Sequence, residues 1–122
     1  MINIMSWNCA VWHSNYVKNK EEAEKLYLKL CEGDTSLIGP TQRTQEFYEE
    51  LTSKHPEIDD IDEKEVGDLE LCPWNVIFDK SEGHIIMSCE FSRAEYVNNL
   101  VQEYAKKYEL SFYEPQSKTF IK

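Results

Sequence analysis

PWNVIFDKSEGHIIMSCEFSRAEYVNNLVQEYAKKYELSFYEPQS, residues 73–117, carries in unbroken succession the marks of a hairpin, a helix and a returning strand. Trp74–Asp79 and His84–Phe91 are short runs rich in β-formers, and the Lys80–Gly83 linker between them has hairpin length and a glycine. They are expected to pair antiparallel. Ser92-Arg93-Ala94-Glu95 has the S-x-x-E form of a capping box, in which the serine oxygen takes an amide of the first turn and the glutamate reaches back. A helix is expected from there, with Ala94, Val97, Val101, Tyr104, Ala105 and Tyr108 on one side at three- and four-residue spacing. Leu110–Tyr113 follows as a strand, and Pro115-Gln116-Ser117 turns the chain.

Working outward, Ile2–Trp12 reads as a strand with apolar groups on both faces, which suits a central position, and a parity change near Met5 is compatible with a bulge. Ser14–Lys18 is a loop. Asn19 caps a helix running to about Cys31, with Glu21 and Glu22 in its positive first turn and Ala23, Leu26, Tyr27 and Leu30 on its inner side. Gly33 is the expected stop. A second helix, capped at or near Thr41 and carrying Phe47, Tyr48 and Leu51 inward, ends at His55-Pro56 because the residue before proline disfavours the α region. Glu57–Glu70 has eight carboxylates and one lysine, and reads as a loop or frayed connector.

The expected fold class is therefore α+β: one domain over residues 1–122, with a four-stranded antiparallel sheet in the order β-α-α-β-β-α-β. Setting one helix aside leaves the split βαβ, ferredoxin-like arrangement with helices on one face.

At 122 residues and 41% hydrophobic, the chain can bury a core without staples. Its four dispersed cysteines are expected as small buried hydrophobes with free thiols. A formal charge of −10 repels phosphate backbones, so nucleic acid is not an expected partner, whereas a basic protein is its natural complement. No run is long and apolar enough for a membrane span and the first residues do not form a signal peptide, so a cytoplasmic protein is expected.

No catalytic residue, metal site or cofactor is expected. C-x-x-C and H-x₃-H pairs are missing, and Cys9 and His13 stand roughly 13 Å apart along an extended strand. The acidic connector lacks EF-hand spacing, and no nucleophile elbow or phosphate-binding glycine motif occurs. Two groups are left as candidates. One is acidic and partner-binding: Glu46, Glu49 and Glu50 of the second helix with Asp59, Asp60, Asp62, Glu63 and Glu65 of the connector. Its plain alternative is a solvated face. The other is a possible ligand site at the strand ends, Trp74, Arg93, Glu114 and Gln116 with Ser92 and Ser117, whose plain alternative is capping, ion pairing and core filling.

The segments CPWNVIFD, IIMSCEFSRAE and YELSFYEPQS, with IMSWNCAVW near the start and FYEELTSKHP at the second helix end, resemble a family of small acidic bacterial proteins. Pro73-Trp74, Ser92–Glu95 and Tyr113–Ser117 match its pattern, with Glu114 standing where that pattern has aspartate. Proteins of this appearance are similar to cytosolic immunity proteins, which neutralise a cognate bacterial toxin by binding it. The resemblance implies stoichiometric inhibition of a cognate toxin and brings no catalytic residues, while the charge and placement of the carboxylates are what make a basic domain such as a nuclease the expected target. The alternative is a small-ligand-binding domain or enzyme using the Trp74, Arg93 and Gln116 end of the sheet.

Overall fold

The computed structural model describes residues 6–14 and 16–122. The stretch Ile2–Met5, including the expected parity change, and Asn15 of the first loop lie outside the described residues. The chain folds as β1 (Ser6–Trp12), α1 (Lys20–Cys31), α2 (Gln42–Lys54), β2 (Asp79–Lys80), β3 (His84–Glu90), α3 (Ala94–Lys107), β4 (Ser111–Glu114) and β5 (Thr119–Ile121). All five strands join one antiparallel sheet in the order β2-β3-β1-β4-β5. No helix among the described residues is long and apolar enough to cross a membrane.

The strand β1 sits at the centre because both its faces are apolar. Its residues alternate between two cores. Trp7, Cys9 and Val11 face one side with Ile85, Met87, Cys89 and Phe112, beneath Phe47 and Leu51 of α2 and Val97, Val101 and Tyr104 of α3. Ala10 and Trp12 face the other side with Tyr113, beneath Ala23, Leu26 and Leu30 of α1. The helices thus cover both faces, not one. The correction follows from β1 itself: Ala10 and Trp12 are fully buried, and their apolar surface needs a layer of its own.

The sheet also has a fifth strand where four were expected. Lys118 adopts a left-handed φ of 57°, the chain reverses, and Thr119–Ile121 pairs with β4 from Phe112↔Ile121 to Glu114↔Thr119. Phe120 stacks 6.4 Å from Trp12, so this strand helps close the α1 side of the core.

The leading hairpin strand is shorter than its β-rich sequence suggests. Trp74 meets Cys89 in an isolated bridge, and regular pairing resumes only at Asp79↔Ile86. Between them the Phe78 N–H donates to Glu57 Oε1 at 2.8 Å instead of to the ladder, and the Phe78 ring turns into the core. A connector carboxylate has taken the strand's hydrogen bond.

The caps divide likewise. Asn19 Oδ1 accepts from Glu22 N at 2.9 Å, Thr41 Oγ1 accepts from Arg43 N at 3.2 Å, and Gly33 sits at φ 89° past α1, all as read from the sequence. The Ser92–Glu95 box does not form. Phe91–Arg93 is a short 3₁₀ turn running directly into α3, and no side chain caps either. A capping box does form at Asp62 and Glu65, around the short 3₁₀ turn Glu63–Glu65 of the connector. With Ile58–Asp60 as a second 3₁₀ turn, the connector has defined local structure instead of the frayed run expected.

Of the cysteines, Cys9, Cys72 and Cys89 are buried and Cys31 is exposed; all four are free thiols. Cys31 departs from the expected burial because it lies on the last turn of α1, off the Ala23–Leu26–Leu30 stripe. Burial pushes the Cys89 thiol up to about 12, so it is inert as a nucleophile near neutrality.

Candidate functional site

Trp74 and Arg93 do come together, through two residues the sequence reading left aside. Trp74 is 2% exposed, its Nε1 donates to the His55 carbonyl at 2.9 Å, and its ring meets Phe78 edge-on at 4.8 Å. His55 Nδ1 lies 2.9 Å from the Leu71 carbonyl, which can only accept, so Nδ1 carries the proton. The neutral ring then leaves Nε2 to accept from the Tyr96 hydroxyl at 2.7 Å. Arg93 rests its guanidinium 4.4 Å over the Tyr96 ring, an arrangement that draws the cation to the negative π-face. Burial holds the His55 pKa below its ordinary value of 6.5 and keeps it neutral near pH 7. This chain ties the C-terminus of α2 to the start of α3, and Trp74 is held almost wholly buried beneath it.

Glu114 and Gln116 belong to a different construction. The Gln116 side-chain amide accepts from Asn8 N at 2.7 Å and donates to Asn8 O at 2.9 Å, the two bonds a strand residue would make. It prolongs the β1–β4 ladder past the end of β4. Glu114 is 8% exposed and accepts from Ser117 N at 2.8 Å, Ser117 Oγ at 2.7 Å and the Gln116 amide. Burial alone would raise its pKa, but these hydrogen bonds outweigh it and hold the carboxyl below the usual range. Among the described residues, no hydrogen bond or ion pair joins this turn to Trp74 or Arg93. The four residues proposed as one ligand site are two structural knots.

The acidic group divides in the same way. Glu50 accepts from Lys107 Nζ at 2.7 Å and from the Tyr108 hydroxyl, bracing α2 against the end of α3. Glu49 accepts from Gln45 one turn back. Asp62 and Glu65 are spent on their capping box. Glu46, Asp59, Asp60 and Glu63 stand exposed, turned to solvent. The connector's first carboxylate behaves unlike the rest. Glu57 is 5% exposed and receives Phe78 N–H, the Tyr48 hydroxyl and Lys80 Nζ at 3.4 Å. Burial opposes its ionisation, yet those donors prevail and its pKa is lowered. Nothing in the sequence distinguishes it from its seven acidic neighbours, since its donors are brought to it by folding from Tyr48, Phe78 and Lys80.

Ile58 and Ile61 pin the connector to the core beside Tyr48 and Tyr96. They, with Val66, Leu69, Trp74 and Glu90, line an open groove of about 350 Å³. Val66, which lines it, is 56% exposed, and Val76, Ile77 and Phe91, within two residues of the groove-lining Asn75 and Glu90, are 52%, 54% and 53% exposed. The sequence signal for this patch was present in Val76-Ile77, but a β-rich run reads as core until the pairing is known. No family model, curated protein or solved structure matches the chain.

Proposed function

We propose that this protein is a non-catalytic binding module that captures a basic protein domain, in the manner of an immunity protein neutralising a toxin. The observation that carries the reading is the juxtaposition just described. Val66 is exposed and lines a groove with Ile58, Ile61 and Leu69 in a connector whose Asp59, Asp60 and Glu63 carboxylates are exposed, and Val76, Ile77 and Phe91, within two residues of the groove-lining Asn75 and Glu90, are exposed as well. Interfaces draw most of their affinity from a few apolar anchors and use surrounding charge for steering and partner choice. A net charge of −10 selects a basic partner, and the phosphate-binding groove of a nuclease domain has that character.

The test uses the purified product of a neighbouring toxin gene. Added protein should inhibit its nuclease activity at one-to-one stoichiometry. Val66→Asp with Ile77→Asp should abolish inhibition while leaving the circular dichroism and melting of the free protein unchanged. Full inhibition by that double variant, or no complex with the basic domain at all, would sink the reading.

A further inference from the structure

We propose a second site: an open cleft at the N-terminus of α2 that binds a small molecule through an oxyanion group. The cleft encloses about 570 Å³ between Pro40–Gln42, Thr44, Gln45, Tyr48 and the β2–β3 hairpin, a size in the range of small-molecule pockets.

Three independent features converge on an anion. The first is the start of a thirteen-residue helix, whose first-turn amides lack intrahelical acceptors and whose dipole favours negative charge. Thr41 answers for the Arg43 and Thr44 amides, and among the described residues the Gln42 N–H has no acceptor. In so acidic a chain this turn contains no carboxylate, whereas α1 begins with two. The second is Thr44. It lines the cleft, is 2% exposed, and its buried hydroxyl has no protein partner. An unpaired buried hydroxyl is costly, so a group that completes it is favoured. The third is Lys80, whose ammonium lies 5.0 Å over the Tyr48 ring at the cleft wall.

Two carboxylates limit which anion fits. Glu82 lines the cleft, and Glu57 stands 3.4 Å from Lys80 Nζ. A ligand whose oxyanion also carries a hydrogen-bond donor satisfies both signs, as hydrogen phosphate does and a phosphomonoester does in its monoanionic form. Tyr48, Ile85 and Pro40 offer apolar surface to the rest of such a molecule.

Inorganic phosphate is the probe, titrated into the full chain at constant ionic strength and followed by amide NMR. Saturable shifts are expected at Gln42, Arg43, Thr44, Lys80 and Ser81, with no such response to chloride. Thr44→Val and Lys80→Gln should each weaken binding by roughly tenfold, the worth of a hydrogen bond to a charged group. Thr44→Val removes the orphan hydroxyl and should fold at least as stably as the parent, so its loss of binding cannot be read as unfolding. Shifts that chloride reproduces, or variants that titrate like the parent, would overturn the site. Toxin inhibition is read separately, so either proposal can fail alone.

Discussion

At the scale of single residues, Glu57 is the carboxylate on which most depends. It satisfies the Phe78 amide inside the core and takes hydrogen bonds from Tyr48 and Lys80. Glu57→Ala would leave a buried N–H unpaired, and we expect a loss of about 1–3 kcal/mol in urea denaturation. The neighbouring Asp59→Ala should change little, since exposed surface substitutions stay within about 0.5 kcal/mol. A Glu57→Ala midpoint equal to the parent's would show that water replaces the carboxylate. The two buried histidines make a second prediction. Burial lowers the pKa of both His55 and His84 below 6.5, the Asp79 carboxylate near His84 opposing the effect. Above pH 6.5 the ring is neutral in both folded and unfolded chains and costs nothing. As pH falls below 6.5 the unfolded chain takes up protons first, so stability should decline before any carboxylate titrates. The lowered carboxyls of Glu57 and Glu114 act in the same direction further down. Their stabilisation is present above their ordinary value of 4.5 and is lost as pH drops through the folded value. Denaturant midpoints measured from pH 8 to 5 test the histidine part, and a flat profile would count against it.

At the scale of elements, the start of α3 and the start of α1 look alike in sequence and differ in structure. Each offers a side chain of the capping type, but only Asn19 reaches an amide. Asn19→Ala should cost about 0.5–2 kcal/mol. Ser92→Ala should be neutral, because Ser92 sits exposed inside the 3₁₀ turn that feeds α3. Parallel urea titrations of the two variants distinguish the cases, and a destabilised Ser92→Ala would mean that the serine caps after all. The S-x-x-E pattern failed here for a physical reason: the backbone enters α3 already turning, so no extended residue stands at the position from which a serine could reach back.

At the scale of the whole molecule, the excess of carboxylates acts as a field. Asp59, Asp60 and Glu63 are exposed and make no capping bonds, so Asp59→Asn, Asp60→Asn and Glu63→Gln together should leave the melting temperature nearly unchanged. Asp62 is excluded because it caps. Association of this triple variant with a basic partner should slow, and the parent's on-rate should fall with added salt as charge is screened over about 8 Å at physiological ionic strength. Stopped-flow mixing at several salt concentrations is the measurement. An on-rate indifferent to salt and to the substitutions would show that this face is merely solvated.

The sequence by itself determined the local elements: Asn19 and Thr41 as caps, Gly33 as a stop, the apolar side of α3, and the central place of β1 with its two apolar faces. Each of these is decided within a few residues of chain, by side-chain spacing and backbone preference. Tertiary structure alone decided where those faces find cover, putting α1 on one side of the sheet and α2 and α3 on the other. It also decided the use of the polar residues. Gln116 extends a ladder with Asn8 from far along the chain, His55 joins Leu71 to Tyr96, and Glu57 diverts Phe78 from its strand. A carboxylate or amide has the same propensity whether it braces a core or faces water, and only a partner brought in from a distant segment makes the difference.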